Sequence, residues 1–226
     1  MKRILMALTS HDDLGGLRKT GFYVPEAMHT FNTFKARGYG VDFVSPKGGL
    51  PPMDGFKSEN PDHLKFVTDA GGKLEQTMRP EQVDSSLYDA IVYVGGHGTM
   101  WDFPNETNLS GIAASIYETG GIVGAVCHGP AGLVNIQLSS GEFLVEGKTL
   151  AAFTDSEEES QNLTDVVPFL LESKLRERGA NVITAPNFQA NVQVSGRLIT
   201  GQNPVSSTPM AEAIVAMLEG TAVTAA

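Results

Sequence analysis

Residues Gly121–Gly132 read GIVGAVCHGPAG, an apolar run that ends abruptly at a cysteine. The run Ile122–Val126 predicts a buried strand. Cys127 and His128 follow it directly, and then come glycine, proline and other small residues. A strand, a sharp turn and a helix form a nucleophile elbow, in which the turn holds the nucleophile over the carboxyl edge of the sheet. We therefore predict that Cys127 lies at the end of a central strand.

The rest of the chain alternates apolar runs with helix-like segments. Further buried strands are predicted at Arg3–Leu8, Val41–Ser45 and Ala90–Val94. Helices are predicted at Val24–Ala36, Leu109–Glu118, Val166–Arg178 and Pro209–Leu218. Near the end of the chain, Val192–Val194 and Arg197–Thr200 flank Ser195-Gly196, which is typical of a hairpin. This alternation predicts an α/β protein with a doubly wound, mostly parallel sheet and helices on both faces.

One polar segment interrupts the alternation. Residues 47–78 are rich in glycine, proline and aspartate. We interpret them as an inserted loop and short helix at the rim of the site, inside a single domain that spans residues 1–226. A linker between two domains is the alternative that we reject.

Composition excludes several classes of protein. The chain has 226 residues, 41% of them hydrophobic, and a net charge of -10. Such a negative field repels a phosphate backbone, so we expect no nucleic-acid partner. No apolar run approaches the ~20 residues that span a bilayer, so we expect no membrane partner. A lone cysteine forms no internal disulfide, and the simplest compartment is therefore a reducing cytoplasm.

The Cys127-His128 pair is the candidate reactive centre. A histidine beside the cysteine and the positive end of a following helix both favour a thiolate, and so predict a lowered thiol pKa. The alternative is that Cys127 is a small buried hydrophobic residue and His128 a turn residue with satisfied hydrogen bonds. The strand-Cys-His-Gly-Pro context favours the reactive interpretation.

A second group of candidates follows the predicted strand Ala90–Val94. Gly95-Gly96-His97-Gly98 is flexible enough for backbone N–H groups to turn toward a bound oxyanion, although a plain glycine turn is the alternative. Trp101 and Phe103 either line a pocket or simply pack. Among the acids, Glu26 and the run Glu157–Glu159 fit ordinary surface positions on helices, and spacing alone selects none of them.

Several motifs together resemble the ThiJ/PfpI superfamily, a group with a flavodoxin-like fold. More closely, the chain is similar to its glutathione-independent glyoxalase branch (glyoxalase III), whose members are also described as heat-shock chaperones and protein deglycases. The resemblance covers nearly the whole chain and is carried by Thr20–Glu26, Ser45–Gly49, Gly95–Thr99, Ala125–Pro130, Phe153–Glu158 and Leu198–Pro204.

The resemblance implies roles for individual residues. Cys127 would be the nucleophile and His128 its base, with Glu158 as the third member of the triad and Glu157 as its rival. Glu26 would be a protonated acid that hydrogen-bonds the cysteine. The residues implied to bind the oxyanion or the substrate are Gly96, His97, Gly129 and Trp101. The chain departs from the family pattern at Val24-Pro25 and at Asn187-Phe188.

The resemblance also implies an activity. We expect methylglyoxal-type 2-oxoaldehydes to be converted to D-lactate-type 2-hydroxy acids, a lyase reaction in detoxification that needs no metal and no cofactor. We expect a homodimer. The alternatives are a deglycase or peptidase that uses the same thiol, a holdase chaperone, and a redox sensor whose Cys127 oxidises to sulfinate.

Overall fold

A computed structural model of the chain describes residues 1–221. Its strands are, in chain order, β1 (Arg3–Ala7), β2 (Phe22–Tyr23), β3 (Gly40–Val44), β4 (Met53–Asp54), β5 (Ala90–Tyr93), β6 (Ile122–Val126), β7 (Thr149–Leu150), β8 (Asn181–Val182), β9 (Val192–Ser195) and β10 (Leu198–Gly201). Its α-helices are α1 (Val24–Ala36), α2 (Pro61–Ala70), α3 (Gly72–Glu75), α4 (Thr99–Asp102), α5 (Thr107–Glu118), α6 (Asp155–Ser160), α7 (Leu171–Glu177) and α8 (Ser207–Leu218). Short 3-10 helices occupy Pro80–Gln82, Ser85–Leu87, Phe103–Asn105, Gly129–Leu133 and Pro204–Ser206.

The main sheet has six strands in the order β3-β1-β5-β6-β10-β9. All neighbours pair in parallel except β9, which forms an antiparallel hairpin with β10. Every residue of β5 and β6 is buried, because these strands lie at the centre of the sheet. Helix α8 packs on β6, β10 and α1, whereas α5 packs on β5 and β6. The predicted α/β class with a mostly parallel sheet flanked by helices is confirmed.

The topology determines where a site can form. Parallel strands end at the same edge of a sheet, and loops after their carboxyl ends meet there. The loops after β5 and β6 carry Gly95–Gly98 and Cys127-His128, on two neighbouring strands. The fold therefore brings the two predicted groups of site residues together.

Among the strands and helices predicted by range, one helix differs from the structure. The four apolar runs are strands to within one residue at either end, and Val24–Ala36 is helical as predicted. The helix predicted at Val166–Arg178, however, begins only at Leu171. Pro168 explains the difference, because a proline lacks an N–H group and steers the residue before it away from helical geometry. Leu170 is extended, with ψ 122°.

The polar segment at residues 47–78 contains more regular structure than predicted. It holds β4, α2 and α3 instead of a loop with one short helix. Strand β4 pairs with β2, directly before α1, and α2 packs on α1 through an edge contact of Phe66 with Phe31 at 5.5 Å. None of the helices within residues 1–221 combines the length and the apolar character that crossing a bilayer requires.

Candidate active site

Cys127 occupies a strained turn at the end of β6. Its φ is 59°, a left-handed conformation that residues with a side chain rarely adopt. Two backbone hydrogen bonds hold it there: its N–H donates to Gly201 O at 2.9 Å, and its carbonyl accepts from Phe153 N–H at 2.9 Å. The turn is thus held from β10 on one side and from the segment before α6 on the other. This is the geometry of a nucleophile elbow.

His128 joins the cysteine to a carboxylate. Its Nδ1 lies 3.4 Å from Cys127 Sγ, and its Nε2 lies 2.7 Å from Glu158 Oε2. Both side chains are almost fully buried. Burial acts to raise the pKa of Glu158, but the hydrogen bonds and charges of His128 and His97 together outweigh it and lower the pKa to about 2. Burial lowers the pKa of His128 to about 4, so its ring is neutral near pH 7 and its Nδ1 is free to accept a proton from the thiol.

Glu26 approaches the cysteine from the first turn of α1. It is fully buried, and its Oε2 accepts the N–H of Gly95 at 3.0 Å. Its Oε1 has no hydrogen-bond partner within the part of the chain that the structure describes. Burial raises the pKa of Glu26 to about 8, although contacts with Cys127 and Gly95 act in the opposite direction. Near pH 7 the group is therefore a neutral acid.

The expected lowering of the thiol pKa is wrong in direction. Burial raises the pKa of Cys127 well above its ordinary value, and the neighbouring Glu26 adds to the effect. The predicted α-helix after the cysteine is absent, since only the 3-10 helix Gly129–Leu133 follows. Pro130 and two glycines disfavour a longer helix, so the cysteine lacks the helix dipole on which the prediction relied.

The glycine loop after β5 faces the same centre. Gly96 has φ 110°, and a Cβ at this position would lie 2.3 Å from Gly21 O, so only glycine fits. The Gly96 N–H has no acceptor within residues 1–221. His97 places its Nε2 2.9 Å from Glu158 Oε1 and its ring 4.1 Å from the ring of His128. Glu158 therefore contacts both histidines, one through each oxygen.

Thr99 ties the two loops together. Its hydroxyl lies 2.9 Å from both Gly96 O and His128 O, and can donate to either. The residue is fully buried at the start of α4. This cross-link fixes the spacing between the glycine loop and the cysteine turn. Sequence reasoning gave Thr99 no role, although it lies within a quoted motif.

These groups open into a cavity of about 290 Å³. Its lining residues are Arg18, Tyr23, Glu26, Asp54, Gly96, His97, Cys127, His128, Phe153, Gln161, Phe188 and Pro204. Arg18 and Asp54 form an ion pair at 2.8 Å. The ring of Phe153 lies against that of His128, with the ring centres 4.2 Å apart and the planes inclined by 33°. The cavity thus has aromatic walls around the reactive groups.

Two of the expected binding residues do not line this cavity. Trp101 instead stacks on His11, with the ring centres 5.1 Å apart and the planes nearly parallel. Gly129 is buried against β5, where an added Cβ would lie 2.2 Å from Tyr93 O. The absence of a side chain at Gly129 allows its backbone to approach the backbone of Tyr93 this closely.

The three consecutive acids in α6 occupy three different environments. Glu158 reaches the histidines, as the resemblance implied, and Glu159 is exposed. The ordinary surface position expected for Glu157 is wrong, because the residue is fully buried. Its oxygens accept from Thr154 N–H, Phe188 N–H and Asn203 Nδ2 at 2.8–3.0 Å. Glu157 therefore anchors the loop that carries Phe188.

The two histidines and Glu158 are also potential metal ligands. One donor atom each from His97, His128 and Glu158 lies within 4.8 Å of the others. In the structure both histidine Nε2 atoms already hydrogen-bond the carboxylate.

Several lining residues were not predicted from the sequence. Tyr23 and Phe153 lie within motifs that carry the family resemblance, and those motifs could have identified them as lining residues. Arg18 and Asp54 lie in polar loops without any local pattern. Phe188 has φ 59° and is 43% exposed. Only the tertiary contacts of its loop with Glu157 place it at the cavity.

The chain is similar to known proteins over nearly its whole length. A protein-family model described as the DJ-1/PfpI family matches residues 17–217. Glyoxalase 3 of Candida albicans is 34% identical over 236 residues, which cover 97% of this chain and 99% of the relative. Glutathione-independent glyoxalase HSP31 of Saccharomyces cerevisiae is 34% identical over 231 residues, covering 91% and 93%. The crystal structure of glyoxalase III from Candida albicans superposes with a TM-score of 0.87 at 30% identity, covering 95% of this chain and 96% of that one.

Proposed function

The chain belongs to the DJ-1/PfpI family, and from that premise we propose that it is a glutathione-independent glyoxalase. Its substrates would be methylglyoxal-type 2-oxoaldehydes and its products D-lactate-type 2-hydroxy acids. The observation that carries the proposal is the position of His128, between the Cys127 sulfur at 3.4 Å and the Glu158 carboxylate at 2.7 Å. This chain of groups opens into a cavity that admits a small aldehyde.

The reaction begins with addition of Cys127 to the aldehyde carbon, C1. His128 Nδ1 accepts the thiol proton and passes it to the aldehyde oxygen, which gives a neutral hemithioacetal. The hydrogen on C1 then moves to C2 through an enediol, which leaves a thioester of the 2-hydroxy acid. Water hydrolyses the thioester and frees the thiol. The oxidation of C1 and the reduction of C2 balance within the substrate.

Two further groups support these steps. The Gly96 N–H, which has no acceptor within the described chain, would donate to the oxygen that becomes negative during addition. Glu26, neutral near pH 7, would donate a hydrogen bond to the sulfur when it carries charge. Glu26→Gln keeps a donor in the same place, so we expect it to impair turnover less than Glu26→Leu.

The direct test is D-lactate formation from methylglyoxal by the purified protein in the absence of glutathione. We expect stereospecific D-lactate production, and a loss of at least ~100-fold in turnover for Cys127→Ala, because the covalent nucleophile is removed. Thermal unfolding of the variant checks that the fold persists. Absence of D-lactate from the parent protein, or full activity in Cys127→Ala, would reject the proposal.

Two properties remain predictions that rest on the family resemblance and the single cysteine. They are a homodimer in solution and a reducing, cytoplasmic compartment. Light scattering coupled to size-exclusion chromatography measures the first. Fractionation of cells that express the full chain measures the second.

A further inference from the structure

Glu158 is shared by two histidines that come from different loops. His97 follows β5 and His128 follows β6, and their Nε2 atoms lie 2.9 Å and 2.7 Å from the two oxygens of one carboxylate. The rings are 4.1 Å apart and inclined by 40°. A triad needs only one of these histidines. The contact of the second histidine with Glu158 therefore needs a separate explanation.

The shared carboxylate determines where the hydrogens lie on both rings. An ionised carboxylate only accepts hydrogen bonds, so each Nε2 must carry the hydrogen that it donates. In the neutral ring, Nδ1 is then a bare lone pair. The Nδ1 of His128 faces the sulfur of Cys127. The Nδ1 of His97 has no partner within residues 1–221, and His97 lines the cavity beside Cys127.

The isomerisation requires two proton movements of different kinds. One hydrogen leaves C1 and returns on C2. A second proton leaves the hydroxyl on C1, which becomes the thioester carbonyl, and ends on the oxygen of C2, which becomes the product hydroxyl. Both occur while the substrate is bound to sulfur. One imidazole nitrogen holds one proton at a time, so the two movements need two acceptors or two separate steps.

We propose that His97 is a second catalytic base, which carries the proton between the two substrate oxygens while His128 carries the hydrogen between the two carbons. His97 Nδ1 accepts the hydroxyl proton from the oxygen on C1 and delivers it to the oxygen on C2. His128 Nδ1 accepts the hydrogen of C1 and returns it to C2. No proton or electron is left over, and both rings regain their starting tautomers. This assignment rests on the proposed glyoxalase function.

His97→Gln tests the assignment. The glutamine amide can keep the hydrogen bond to Glu158 but offers no basic nitrogen. General acid–base catalysis contributes ~10²–10⁴-fold, so we expect D-lactate turnover to fall ~100-fold. Addition at sulfur depends on His128, and alkylation of Cys127 by iodoacetamide should therefore stay within about twofold of the parent rate. The matched control is His29→Gln, on the exposed face of α1, which should keep the parent turnover.

The outcomes separate the possibilities. Parent activity that persists in His97→Gln would overturn the role of His97 alone. Loss of turnover and alkylation together would show that His97 only positions Glu158, which also overturns it. Absence of D-lactate from the parent would overturn the proposed function and this assignment together.

A second measurement needs no variant. Nitrogen NMR of the parent protein with labelled histidine reports which ring nitrogen carries hydrogen. We expect the Nε2–H tautomer on His97 as well as on His128. A hydrogen on His97 Nδ1 would overturn the proposal even if His97→Gln failed to fold.

Discussion

At the scale of single residues, burial favours the neutral thiol form of Cys127. Burial and Glu26 raise its pKa, whereas burial lowers the pKa of His128 to about 4. The resting pair is therefore thiol and neutral imidazole, not thiolate and imidazolium. In the proposed reaction, proton transfer to His128 Nδ1 would accompany attack on the aldehyde, so the nucleophile would be activated only during the reaction.

The raised thiol pKa predicts the pH dependence of alkylation. We expect the rate of Cys127 modification by iodoacetamide to rise with pH and to reach half its maximum above the midpoint of free cysteine, because the reactive thiolate forms later. Mass spectrometry of the single cysteine measures the rate. The midpoint, unlike the absolute rate, does not depend on how easily the reagent reaches the buried sulfur. A midpoint below that of free cysteine would mean that a hydrogen bond from Glu26 to the sulfur outweighs burial.

At the scale of secondary-structure elements, the short helix α6 gives three consecutive acids three roles. Thr154 and Glu157 form a capping box at its start, with Thr154 Oγ1 accepting from Glu157 N–H and Glu157 Oε2 accepting from Thr154 N–H, both at 3.0 Å. Successive residues of a helix point about 100° apart. Glu157, Glu158 and Glu159 therefore face the Phe188 loop, the histidines and solvent respectively.

Glutamine substitutions in α6 should separate these roles. Glu158→Gln should lower turnover by ~10-fold or more, since it disturbs the histidines. Glu157→Gln should instead cost about 1–3 kcal/mol of stability, because its amide hydrogens would face backbone and asparagine donors. Steady-state D-lactate kinetics and thermal unfolding of each variant measure the two effects.

Glu159→Gln is the matched control, expected to stay within about 0.5 kcal/mol of the parent because the side chain is exposed. Equal and small effects of all three substitutions on turnover would contradict the role of Glu158. A Glu157→Gln protein as stable as the parent would contradict the anchoring of the Phe188 loop.

At the scale of the whole molecule, the buried ionisable groups make stability depend on pH in two opposite ways. Glu158 and His128 have lowered pKa values, about 2 and about 4, so their contributions are lost as pH falls. Glu26 has a raised pKa instead, so its contribution to stability is lost as pH rises. The folded state keeps its proton up to about pH 8, whereas the unfolded chain releases it near 4.5. The folded state thus binds more protons between these values, and stability falls as pH rises through that window.

Glu26→Gln should remove this loss of stability at higher pH, because the amide does not ionise. We expect the melting temperature of the variant, relative to the parent at the same pH, to rise by at least ~2 °C between pH 5 and pH 8. Calorimetry at the two pH values measures the difference, and Glu159→Gln should show no such trend. A difference that is the same at both pH values would mean that Glu26 ionises in the folded protein as readily as in the unfolded chain.

The sequence alone determined the elements and the reactive turn. Strands such as Ile122–Val126 are recognisable because burial on both faces demands continuous apolar runs, and the elbow because a cysteine follows such a run directly. The roles of Glu26 and Glu158 came from motif resemblance, since spacing alone selected no acid. The apolar periodicity places the start of α7 too early, because Pro168 disfavours helical geometry there.

Only the tertiary structure decided the properties that depend on contacts between distant parts of the chain. Glu158 comes within reach of both His97 and His128, Glu157 is buried rather than solvated, and Phe188 reaches the cavity through its hydrogen bond with Glu157. The thiol pKa is raised because burial, together with Glu26, outweighs the hydrogen bond from the His128 backbone. Local patterns reveal which faces are apolar, but desolvation and hydrogen-bond partners are set by residues 30 or more positions away.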